Sequence, residues 1–171
     1  MRAAVFALIC LTVPAAAQQA PNPNFHPGTY IAEFGPVASV DADQAIPKKA
    51  RFRVRYDVTD AAAPGELSKS LVSVARFLNM SVENGVDPKN VELAVVVHGS
   101  ATKDMTKRDD NANAALIAAL AEKGVDIYLC GQSAAAYDVE KENLLPGVKM
   151  ALSAMHAHAI LDAEGYALNP F

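Results

Sequence analysis

The sequence predicts an α/β fold: a single-domain three-layer sandwich with a mostly parallel sheet of about five strands, preceded by an extended N-terminal arm. Three observations carry this. The runs "VELAVVV" and "VDIYLC" are nearly continuous in apolar residues, as strands buried on both faces are. Segments with helical spacing separate such runs. Strand and helix patterns then alternate to the end of the chain across short loops, the order that builds a parallel sheet with helices on both faces.

The elements follow in order. Residues 18–50 hold Pro21, Pro23, Pro27, Pro36 and Pro47, which rule out a long helix. They read as an extended arm with apolar anchors at Tyr30, Ile31, Phe34, Val37 and Val40, packed on its own domain or a neighbouring subunit. For residues 18–28 a disordered leader is the favoured reading. "RFRVRYDVT" alternates with period two, Phe52, Val54, Tyr56 and Val58 against Arg51, Arg53, Arg55 and Asp57. That predicts an edge strand or a partly solvated sheet face; the Arg row reads as solvated rather than anion-binding. Leu67, Leu71, Val74, Leu78 and Val82 form one helical stripe, and Gly85 is its stop signal. Val91 to Val97 form a buried strand. "RDDNANAALIAALAEKG" reads as a helix with acidic residues at its start and Gly124 beyond its end. "VDIYLC" is a strand, "SAAAYDVEKENLLPG" a short helix and loop, "VKMALSA" a strand, "MHAHAILDAEG" a helix and "YALNPF" a last strand.

The chain opens "MRAAVFALICLTVPAAAQQA". Arg2, the apolar stretch from Ala3 to Val13 and the small residues Ala15 to Ala17 make a secretory signal with cleavage after Ala17. The apolar run is shorter than the ~20 residues a bilayer span needs. Ile9 before Cys10 argues against a lipoprotein signal. Cleavage removes one basic residue from a chain of formal net charge −4, which argues against nonspecific nucleic-acid binding and gives no polybasic membrane signal. The expected product is exported to the periplasm and soluble, with 1–17 as signal peptide, 18–50 as arm and 51–171 as the folded domain. Loss of Cys10 leaves Cys130 as its one cysteine, with no partner in the same chain.

In open α/β sheets, ligands bind beyond the carboxyl ends of the strands. The groups at those exits are His98, Gly99 and Ser100, then Cys130, Gly131, Gln132 and Ser133, then the neighbourhood of Ser153. Cys130 stands where a strand gives way to a helix start, which lowers a thiol's pKa, and Gly131 leaves it accessible. An inert thiol packed under the helix fits the same spacing. His98 faces the same choice, between a base beside Cys130 and a histidine that holds a loop. No third member of a hydrolase triad stands out. His156 and His158 would sit about 200° apart on a helix, so they cannot grip one ion together. No phosphate-binding glycine fingerprint is present. No metal or cofactor is expected.

Taken together, "FGPVASVDADQAIP", "VVVHGSA", "NANAALIAALAEKGVDIYLCGQS" and "LLPGVKMALSAMHAHAILDAEGYALNPF" resemble the DsrE/DsrF-like family, in its exported branch, over roughly residues 34–171. The resemblance implies a compact α/β sheet and a homo-oligomer, commonly built from trimeric rings. It also implies sulfur carried as a cysteine persulfide, as in cytoplasmic members acting in sulfur oxidation and transfer-RNA thiolation. The position matching the family's acceptor cysteine is Cys130. This chain departs from those members in being exported and acidic. Two functional readings follow. One is a periplasmic sulfur-handling or thiol-redox protein with Cys130 as carrier, His98 assisting, and Gly99, Ser100, Gly131, Gln132 and Ser133 forming the ligand site; a sulfur donor or acceptor protein would be its partner. The other is a non-catalytic oligomeric binding module with a small-ligand or protein site at the strand ends.

Overall fold

The computed structural model describes residues 22–170, so the signal segment 1–17 lies outside the described residues. The described chain runs β1 (Phe52–Val58), α1 (Lys69–Glu83), β2 (Val91–Val97), α2 (Ala114–Glu122), β3 (Asp126–Cys130), α3 (Gly131–Ala136), β4 (Val148–Ala151), α4 (Ala154–Ala163) and β5 (Ala167–Asn169). Short 3₁₀ turns lie at Pro88–Asn90, Gly99–Met105 and Lys141–Asn143. The strands form one sheet in the order β4-β3-β2-β1-β5, and every pairing is parallel.

The larger core lies on one face. There the inward residues Tyr56 and Val58, Leu93, Val95 and Val97, and Ile127 and Leu129 meet Leu71, Val74 and Leu78 of α1 and Leu116, Ile117 and Leu120 of α2. The helical stripe predicted for α1 is the buried one, and Gly85 leaves the helix at φ +83°. Its first member, Leu67, precedes the helix. The predicted second helix begins later than its acidic residues: Asp109 and Asp110 lie in a preceding turn. Asn111 binds the Asp104 and Thr106 carbonyls there, and its Oδ1 accepts the Asn113 N–H, so the first helical residue is Ala114.

Among the described residues, the opposite face carries α4 alone, over a smaller cluster of Ala94, Val96, Cys130, Ala157, Leu161 and Tyr166. Polar groups do part of the docking. Along β1, Asp57 and Arg55 reach His158 and Asp162, which are one turn apart on α4. Here the expectations for β1 need correction. It is not an edge strand, because β5 pairs along its other side through Val54, Arg55 and Tyr56. Nor is its Arg row uniformly solvated: Arg55 is buried, donating to the Tyr166 carbonyl and pairing with Asp162 at 2.8 Å. Arg53 keeps the solvated character, pairing with Glu92 and donating to the Glu164 carbonyl.

The arm packs along α1 of its own chain. Ile31 and Val37 are buried, Tyr30 and Phe34 lie against the main core, and Val40 is exposed. Within the arm, His26 and Val37 form an antiparallel bridge. Gly28 is required there, since a Cβ would stand 2.0 Å from the Asn79 side chain.

Candidate functional site

Parallel register puts the chemistry together. Val97 pairs with Leu129, and Cys130 with Ala151, so His98 and Cys130 leave adjacent strands side by side at the same edge. A shallow cleft of about 260 Å³ opens there, lined by His98, Cys130, Gln132, Ser133, Ser153, Ala154, Met155 and His158.

Cys130 ends β3 and is also the N-cap residue of α3. The strand passes into the helix with no loop between, which requires close approach: a Cβ on Gly131 would meet the Ala151 carbonyl oxygen at 2.7 Å. Cys130 is only 5 % exposed, so its sulfur is recessed. Burial pushes the thiol up. The Ser133 N–H, the Ala154 N–H, the Ser133 hydroxyl and the Gln132 N–H outweigh that and hold it below its ordinary value. Cys130 forms no side-chain cap hydrogen bond on α3, and the N–H groups that lower its value stand at the starts of α3 and α4. α4 contributes through Ala154, in the first turn that the Ser153 cap fixes.

The two imidazoles share one carboxylate. His98 Nε2 and His158 Nε2 each stand 3.0 Å from Asp57 Oδ1. Sequence reasoning selected His98 and missed both Asp57 and His158. Asp57 belongs to the alternating polar face of β1, where its pattern is that of a solvated residue. The sequence offers His158 only as a metal-ligand candidate with His156. The two histidines do diverge as helical spacing requires: His156 Nδ1 turns to Ser153 Oγ at 2.8 Å. Among the described residues, no group of three or more His, Cys, Asp or Glu side chains is arranged to hold a metal ion.

The remaining expected ligand residues divide. Gln132 and Ser133 line the cleft; Gln132 Nε2 donates to the Leu152 carbonyl, and Ser133 Oγ accepts the Gly99 N–H at 3.1 Å. Gly99 and Gly131 shape the backbone beneath it, Gly99 at φ +58°. Ser100 does not line the cleft: its hydroxyl donates to the Thr59 carbonyl and accepts the Ala61 N–H. A larger cavity, about 520 Å³, lies between the Ala61–Glu66 loop and residues Lys103 to Asn113. No cysteine or histidine lines it, and its buried carboxyl, Asp104, already accepts the Ala62 N–H.

The fold and site define a class: a parallel α/β sandwich with a recessed thiol at a strand-to-helix junction. The family model of the DsrE/DsrF-like family matches residues 58–170, and the chain belongs to that family. Two solved structures share the fold. One is a protein of unknown function, MTH1491, from Methanobacterium thermoautotrophicum, 18 % identical, with 70 % of this chain and 99 % of that one covered and a TM-score of 0.52. The other is the ychN protein from E. coli, 14 % identical, with the same coverage of each chain and a TM-score of 0.54. No match was found among curated proteins.

Proposed function

We propose that the protein carries sulfane sulfur on Cys130. Family membership is consistent with a sulfur-relay or redox role in general. The observation that carries the finer reading is the recessed Cys130 thiol, held below its ordinary value by N–H groups from the starts of two helices in a cleft small sulfur species can enter. In the loading step the Cys130 thiolate attacks the outer sulfur of a donor R–S–SH. The donor S–S bond breaks, a new S–S bond forms on Cys130, and R–S⁻ leaves with the electron pair. No net oxidation or reduction occurs. We place this activity in the periplasm, on the strength of the leader sequence; the N-terminus of protein recovered from the native compartment is then Gln18.

The working unit on this reading is a homo-oligomer, a trimer by the family resemblance. Leu152, Met155, Ile160 and Leu168 support it, since all four are more than half exposed on or beside the face that α4 covers. Light scattering checks it, and a monomer mass at micromolar concentration rejects it. The carrier reading is tested by exposing reduced protein to polysulfide and measuring intact mass. Wild type gains sulfur and Cys130→Ser gains none. An unmodified wild type, or the same gain in the variant, overturns the reading in favour of a binding module.

A further inference from the structure

On the carrier reading of Cys130, every loading step ejects a thiolate, and a thiolate whose conjugate acid has a pKa of about 8.5 leaves more slowly than a more acidic one. The cleft holds an arrangement suited to that problem. Asp57 Oδ1 receives His98 from the exit of β2 and His158 from the second turn of α4, each through Nε2 at 3.0 Å. An ionised carboxylate can only accept, so both rings carry their proton at Nε2. Nδ1 is then the atom through which each ring exchanges a proton. A carboxylate behind an imidazole fixes its tautomer and orientation, as this one does for two rings at once.

The surrounding charges leave Asp57 to this task. Arg55, its same-face neighbour on β1, spends its terminal nitrogens on Asp162 and the Tyr166 carbonyl. His156, the other titratable group near the start of α4, is turned to Ser153. From β3 the only titratable group in the cleft is Cys130 itself.

We propose that Asp57 is a positioning residue that holds His98 and His158 as a paired proton source for the departing thiolate, and that the site is therefore matched to persulfides of basic alkyl thiols. One ring first takes up a proton from water at Nδ1; as the donor S–S bond breaks, R–S⁻ takes that proton and leaves as R–SH. Cys130 keeps the sulfane sulfur, and the ring returns to its Nε2–H form on Asp57. A donor whose leaving group needs no proton gains nothing from the pair.

The test varies the leaving group. Reduced protein starting at Gln18, whose one cysteine is Cys130, reacts with a symmetrical alkyl disulfide, with an aromatic disulfide whose thiol is far more acidic, and with iodoacetamide, which ejects no thiol. Asp57→Asn is expected to slow the alkyl reaction about 100-fold or more, within the range of general acid catalysis, and to leave the other two rates within about threefold. His158→Asn, whose side chain is partly exposed, is expected to give the same selective loss and stands alone if Asp57→Asn does not fold. Equal losses for all three reagents overturn the proposal, because Asp57 would then act only on the thiol; so do unchanged rates. The carrier reading is judged separately by the sulfur mass adduct. A protein that loads sulfur without leaving-group dependence sinks this proposal alone, and one with the dependence but no adduct sinks the carrier.

Discussion

The side-chain amide of Asn79 is spliced into the backbone of the arm at Ile31, accepting its N–H at 2.8 Å and donating to its carbonyl at 3.0 Å. The same amide accepts the Tyr30 N–H and donates to the carbonyls of Phe34 and Gly35. Asn79 is fully buried, so a helix residue serves as the arm's surrogate strand partner.

Asn79→Ala is therefore expected to destabilise the fold by about 2–4 kcal/mol, since it leaves several buried arm amides and carbonyls without partners. The loss is expected to be local first. Amide exchange at Tyr30 and Ile31 accelerates before exchange at Val95 or Val97 in the central strand. Uniform acceleration across both regions would mean that the arm and sheet open as one unit.

Gly131→Ala tests the strand-to-helix junction. The new methyl group would press on the Ala151 and Leu152 carbonyls of the neighbouring chain segment. Overpacking of this kind costs about 1–3 kcal/mol. Because that segment leads into Ser153 and Ala154, displacement also withdraws an N–H from the Cys130 sulfur. Slower alkylation of Cys130 at neutral pH is expected together with a lower Tm, and unchanged alkylation would detach the sulfur's environment from the junction.

The Cys130 thiol lies below its ordinary value despite burial, so its alkylation rate is expected to reach half its plateau at a lower pH than that of the same thiol in the unfolded chain. The sign for stability follows. A folded-state value below the unfolded one favours the fold in the thiolate form. That contribution is complete above the unfolded pKa and is lost as pH falls through the folded one. Denaturant titrations of wild type against Cys130→Ser are expected to diverge in favour of wild type as pH rises across that window. Parallel curves would reject the assignment.

Much of this was legible in the chain. Period two in Phe52 to Val58, the helical stripe from Leu71 to Leu78 and the apolar run from Val91 to Val97 are local patterns, and local burial demands produced each of them. Asp57 was not legible. A carboxylate on a polar strand face has the same sequence pattern whether it meets water or two histidines, and His158 lies 101 positions away. The burial of Arg55 was hidden for the same reason, since Asp162 and Tyr166 follow more than a hundred positions later.

The sequence by itself determined the alternation of strands and helices, the α/β class and the placement of Cys130 at a strand exit, because hydrophobic periodicity and helix-stop glycines act over a few residues. Tertiary structure alone decided that β1 lies inside the sheet, that α4 covers the second face and that Asp57 joins two imidazoles beside the thiol. Strand order and helix docking depend on contacts between segments far apart in the chain, and no short-range periodicity encodes them.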